Sequence, residues 1–161
     1  MISRIAVLSF AVALLTGGVA AAEQFKSGAI VVEQPWIRAT PGGATIAGGY
    51  MTIVNTGKSA DRLLGGSTPA AKRFEIHEMK MEAGIMKMRE VTTGLELRPG
   101  QKLLLKPSGY HVMMMDLSEP LKQGDIVQGE LRFEKAGAIA VKFQVESIGA
   151  QGPSPHAAPG H

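Results

Sequence analysis

Apolar and β-branched residues fall in short runs along this chain, each ended by a turn signal. The run at 29–32 is followed by Pro35, and the run at 45–54 is broken by Gly48-Gly49 and ends at Asn55-Thr56-Gly57. Runs at 73–81 and 85–91 flank Glu82-Ala83-Gly84. The run at 102–106 stops at Pro107-Ser108-Gly109, and 110–117 follows. Runs at 126–133 and 139–148 flank Lys135-Ala136-Gly137. No stretch of helical length carries an apolar period of 3.6, and no internal repeat is visible. Seven or eight evenly spaced strands predict an all-β sandwich or barrel.

The two ends read differently. Arg4 precedes an apolar run at 5–15, and Ala20 and Ala22 fit a cleavage site before Glu23. Residues 1–22 are therefore expected to be a secretory signal peptide, with an apolar run too short to span a bilayer. The mature chain is expected in the periplasm, with no membrane insertion. Residues 150–161 contain three prolines and no apolar residue larger than Ala. They predict a disordered tail behind a β domain at 23–149. Removing residues 1–22 leaves 16 basic and 14 acidic residues, a net of +2, with no Lys/Arg stripe. That gives no footprint for nucleic acid.

Composition narrows the chemistry. The chain of 161 residues has no cysteine, which excludes disulfides, Fe–S clusters, zinc ribbons, a thiol nucleophile and a blue-copper thiolate. Of nine methionines, seven lie in two short stretches, 79–88 and 113–115. Two of the four histidines, His77 and His111, open those stretches. Strand side chains alternate faces, so His77, Met79 and Met81 share one face, as do His111, Met113 and Met115. A two-residue loop at Glu82-Ala83 would set His77 opposite Met88 and Met79 opposite Met86. A three-residue loop ending at Gly84 would turn Met88 to the other face. Single methionines are usually core filler, and the parity of Met114 places it in the core. The others are interleaved with Lys80, Glu82 and Lys87, which is not how a buried strand reads. Imidazole and thioether together describe a soft site that favours Cu(I). Neutral imidazole is the ligand form, so affinity is expected to fall below about pH 6.5.

The segment His77, ten residues, Met88, 22 residues, His111-Val112-Met113 resembles the motif of the periplasmic copper chaperones that supply the CuA centre of cytochrome oxidase. The family spacer is about 21 residues, so this chain departs by one. Trp36-Ile37-Arg38-Ala39-Thr40-Pro41, Asn55-Thr56-Gly57, Asp61-Arg62-Leu63-Leu64, Lys106-Pro107-Ser108-Gly109-Tyr110-His111 and Phe133-Glu134-Lys135-Ala136-Gly137 carry the same resemblance across residues 29–148. It implies a cupredoxin-like Greek-key β fold of seven to nine strands. It also implies one Cu(I) held by His77, Met88, His111 and Met113, with Met79 at an optional position. The implied role is that of a carrier, not an enzyme. The implied recipient is a copper-accepting protein such as cytochrome oxidase subunit II or another assembly chaperone. Met86 is a further candidate ligand from its place in the hairpin. His156 and His161, five residues apart, could together take Cu(II), and some family members carry such tails. The alternatives are a periplasmic β-sandwich interaction module with an adaptable Met surface, and a copper-buffering protein without a dedicated recipient.

Overall fold

The computed structural model describes residues 23–154. Residues 1–22, expected to be a signal peptide, and the tail residues His156 and His161 lie outside that range. Eleven strands make up the fold: β1 (Gln24–Ser27), β2 (Ile30–Arg38), β3 (Ile46–Asn55), β4 (Asp61–Ser67), β5 (Ala71–Glu82), β6 (Ile85–Glu90), β7 (Leu95–Leu97), β8 (Lys102–Leu105), β9 (Tyr110–Leu117), β10 (Ile126–Phe133) and β11 (Gly137–Glu146). They form one sheet in the order β6-β5-β9-β3-β2-β11-β10-β4-β7, with β1 added to β2 and β8 to β3. All pairs are antiparallel except β11 with β2. The all-β class is as expected, but the strand count is higher. The extra strands are β1, β4 and β7: two are only three or four residues long, and β4 contains Gly65-Gly66.

The sheet rolls so that one face of every strand except β6, which is exposed throughout, meets a common core. Val32, Ile37, Ile53, Leu63, Val112, Met114, Leu131 and Phe143 are essentially inaccessible there. Each such side chain contributes roughly 1.5–3 kcal/mol by leaving water. Met114 is thus core, as its parity indicated.

A bulge in β2 decides which residues face outward. Its pairing with β3 slips by one residue between Glu33 and Trp36, at Gln34 with φ 48°. A one-residue slip exchanges the faces of all that follows. Before it Ile30 and Val32 point to the core; after it Ile37 does, and Trp36 and Arg38 turn to the other side. That other side, across β2, β3, β9, β5 and β6, carries the candidate site.

Two polar side chains fix the connections. The Asp61 carboxylate accepts from the backbone N–H groups of Arg62, Lys135 and Ala136, tying β4 to the β10–β11 turn. Burial would raise its pKa, but these hydrogen bonds and nearby Lys135 outweigh that and hold it below the usual range. Asn55 donates to the carbonyls of Ser59 and Leu97 and accepts from Gly57 N–H.

Candidate metal centre

β5 is the middle strand of the site, with β6 on one edge and β9 on the other. The β5–β6 loop is Ala83-Gly84, with φ 51° and 78°. Two successive positive φ values define a type I′ turn, whose twist suits a two-residue hairpin. This corrects the expected register: Met79 faces Met88, Met81 faces Met86, and Glu90 faces His77. The loop has moved by one residue, so each pairing moves by two along the partner strand. Faces are preserved, and Met88 stays on the same side as His77.

His77 and His111 are direct cross-strand partners, with ring centroids 6.0 Å apart. Met113 lies two residues beyond His111, opposite Glu75 on one side and Gly48 on the other. Met88 and Met79 lie on the opposite side of the histidine pair, toward the hairpin tip. The face therefore reads Met113, then His77 and His111, then Met79 and Met88. Met88 is half exposed. Met86 sits a further pair away, beside Met81.

Hydrogen bonds set the histidine tautomers. His111 Nδ1 bonds the Gly109 carbonyl at 2.9 Å. A carbonyl only accepts, so Nδ1 carries the proton and Nε2 keeps its lone pair. His77 Nε2 lies 2.9 Å from Glu75 Oε2. In the neutral ring Nε2 is then the donor and Nδ1 holds the lone pair. His77 Nδ1 is buried with no hydrogen-bond partner. A buried polar atom without a partner costs free energy, and a metal ion would satisfy it. Glu75 is itself held by Arg73 at 3.1 Å, and Arg73 by Asp116 at 3.1 Å. A carboxylate behind a ligating histidine fixes ring orientation and raises its basicity.

A row of rings runs from this pair into the sheet. His111 lies 6.4 Å from the Tyr50 ring, and Tyr50 lies 4.5 Å from Trp36. Arg38 stands over Tyr50 at 5.6 Å. Gly48 makes room for Tyr50: a Cβ there would sit 2.6 Å from the Tyr50 hydroxyl oxygen. Residues 150–154 cross the face beside Trp36. Arg38 Nε donates to the Ala150 carbonyl, and Ser154 donates through N–H and Oγ to the two oxygens of buried Glu146. Arg38, Tyr50, Met79, His111 and Gln151 line a cleft of about 340 Å³ together with Pro107 and Ser108. Burial pushes His111 below its ordinary pKa of 6.5; the Gly109 carbonyl opposes this and His77 adds to it.

The structure thus brings together His77, His111 and Met113, with Met79 and Met88 on the same face. Glu75, Tyr50 and Arg38 were missed in the sequence. Glu75 could have been found, since it shares the parity of His77; Tyr50 and Arg38 reach the site only through the β2 bulge and the β3–β9 pairing. Among the described residues no group of three His, Asp or Glu side chains is placed to hold a metal ion.

The fold and this centre define a cupredoxin-like β domain with a surface His/Met cluster. Residues 30–145 match the family described as "Putative lipoprotein LpqE-like", and the chain belongs to that family. The protein "Putative lipoprotein Lxx21020" of Leifsonia xyli subsp. xyli is 30% identical over 119 residues, covering 74% of this chain and 70% of that protein. The structure of a copper-bound PCuAC domain from PmoF2 is 30% identical and aligns with TM-score 0.67, covering 78% of this chain and 98% of that one. The solution structure of Cu(I)-bound DR1885 from Deinococcus radiodurans is 26% identical with TM-score 0.59, covering 80% and 83%. The resemblance to the copper-chaperone domain is borne out at the level of family and fold. Among the described residues no helix is long and apolar enough to cross a membrane.

Proposed function

We propose that this protein is an extracytoplasmic carrier of Cu(I). It takes one ion at His77, His111 and Met113, with Met88 closing the site and Met79 in reach. The observation that carries the reading is the buried lone pair of His77 Nδ1, unpartnered in a ring 6.0 Å from that of His111, on a face that also carries Met79, Met88 and Met113. Both imidazoles are neutral ligands, and thioethers select a soft monovalent ion over hard cations. The copper-bound PCuAC relatives support the cargo, and a lipoprotein family suits a location outside the cytoplasm. A periplasmic location after cleavage of residues 1–22 fits the same reading.

Release follows from the ligand set. Neutral thioethers hold copper less firmly than thiolates, so an acceptor with two cysteines can draw the ion away. The CuA site of cytochrome oxidase subunit II is such an acceptor. The tail histidines His156 and His161 would take Cu(II) separately, since imidazole suits that ion.

Competition against a chromophoric Cu(I) chelator tests the assignment. The protein is expected to bind one tightly held equivalent. Met88→Ile with Met113→Ile is expected to weaken it at least tenfold. Unchanged affinity in that double variant would remove these residues from the site. Incubation of the loaded protein with an apo CuA domain then tests delivery, read as the copper content of the CuA domain after the two proteins are separated.

A further inference from the structure

The β5–β6 hairpin outruns the rest of its sheet. β9 pairs with β5 only as far as Tyr110, opposite Glu78. Residues 79–88 therefore project as a two-stranded arm, anchored at its base by Met79 N–H on the Gly109 carbonyl. The two sides of this arm differ sharply. One carries charge: Arg89 pairs Glu78 at 2.8 Å, Lys80 faces Lys87, and Lys87 reaches Glu82 at 3.2 Å. The other holds methionine alone, Met79 opposite Met88 and Met81 opposite Met86.

Hydrophobic packing does not account for that second side. Met81 is 59% exposed, Met86 41% and Met88 51%. A free-standing ribbon has no core to receive them, and β-branched or aromatic residues would stabilise it better than unbranched thioethers. Nor does a partner-docking surface require one residue type at every position. What four methionines in two opposed pairs do supply is a ladder of soft donors. Opposed Cβ atoms stand about 5 Å apart, and successive rungs follow about 7 Å apart along the strands. The ladder continues the histidine pair outward: His77, then Met79 with Met88, then Met81 with Met86.

We propose that Met81 and Met86 form a second, weaker site for a soft monovalent ion, Cu(I) or Ag(I), at the tip of this arm. Met79 and Met88 are the rung through which the ion passes between the tip and the histidine pair. The inference rests on the copper-carrier reading. Two neutral thioethers bind such an ion without proton competition and without a charge that would trap it. The tip rung is the most exposed part of the ladder, so it meets an acceptor or donor first. The charged groups of the arm lie on its other side and leave the rung unscreened.

Silver(I), redox-inert, is the probe. The protein carrying 13C-methyl methionine is titrated with Ag(I) and followed by NMR. The first equivalent is expected to move the Met113 and Met88 methyl signals; the second moves Met81 and Met86. In Met81→Ile with Met86→Ile the second equivalent is lost and the first is retained. Met81 and Met86 signals that stay still at excess Ag(I), or a second equivalent that survives in the double variant, overturn the inference. So do signals that ignore Ag(I) but respond to an acceptor protein, which would make the arm a docking surface. Failure of the wild type to bind even the first equivalent overturns the carrier reading together with this one; a wild type that binds the first equivalent and no second overturns only this one.

Discussion

The two histidines share a row of the sheet but are held in different ways, and each difference has a measurable consequence. His111 is buried, and burial disfavours its charged form, so it resists protonation below the usual 6.5. In the unfolded chain it takes a proton near 6.5. Between those two values the unfolded state holds more protons than the folded one. Stability of the metal-free protein is therefore complete above that window, falls as pH drops through it and levels off below it. Unfolding free energies from urea melts between pH 8 and 5 are expected to fall more steeply for the wild type than for His111→Asn, by at most about 1.4 kcal/mol per pH unit. In the proposed copper carrier the same burial is expected to delay acid release at His111 relative to a free histidine. His77 instead depends on Glu75, which accepts a hydrogen bond from its Nε2–H and is clamped in turn by Arg73. Glu75→Ala frees the ring to rotate and to change tautomer. It is expected to lower Cu(I) affinity roughly 10- to 100-fold, the usual cost of losing a ligand's outer partner. Nitrogen chemical shifts of the His77 ring should show the altered tautomer in the metal-free protein, which a merely global destabilisation would not.

Eight strands were legible because each combines β-branched or alternating residues with a firm stop, and β9 and β10 begin and end where the pattern does. The face-sharing of His77 with Met79 and of His111 with Met113 follows from period-two alternation alone. The hairpin register did not, because Glu82-Ala83 and Ala83-Gly84 differ only in which residue adopts positive φ. Short strands such as β7 lack the length to show a period. The β2 bulge was invisible for another reason: it depends on Gln34 adopting positive φ, which non-glycine residues rarely do. Yet that bulge delivers Trp36 and Arg38 to the site. Beside them, the close approach of Tyr50 depends on Gly48 having no side chain. Gly48→Ala puts a methyl 2.6 Å from the Tyr50 hydroxyl and forces the ring to move. It is expected to cost about 1–3 kcal/mol in urea unfolding. It should also change the fluorescence of Trp36, the single tryptophan, whose ring lies tilted with its centroid 4.5 Å from that of Tyr50.

The end of the described chain is tied to the site rather than trailing from it. Strand β11 leads to Glu146, which is almost fully buried yet accepts two hydrogen bonds from Ser154. Between them Ala150 receives the Arg38 guanidinium, and residues 151–153 lie along Trp36 beside Pro107. The strap thus closes the edge of the ring row that ends in His111, and Gln151 lines the same cleft as His111 and Met79. Cutting the chain after Ala150 would strip Glu146 of both partners and leave a buried carboxylate unsatisfied. That is expected to destabilise the protein by about 1–3 kcal/mol. The Trp36 emission should shift to longer wavelength as water reaches the ring. Cutting after Ser154 keeps every one of these hydrogen bonds and should leave the urea midpoint and the emission unchanged. The pair of truncations therefore separates two roles of the C-terminal segment. Cu(II) binding lost in both belongs to His156 and His161. Cu(I) affinity lost only in the shorter protein belongs to the strap that covers the centre. If both truncations unfold at the wild-type midpoint, the Ser154–Glu146 contact has no structural weight and the strap does not hold the site closed.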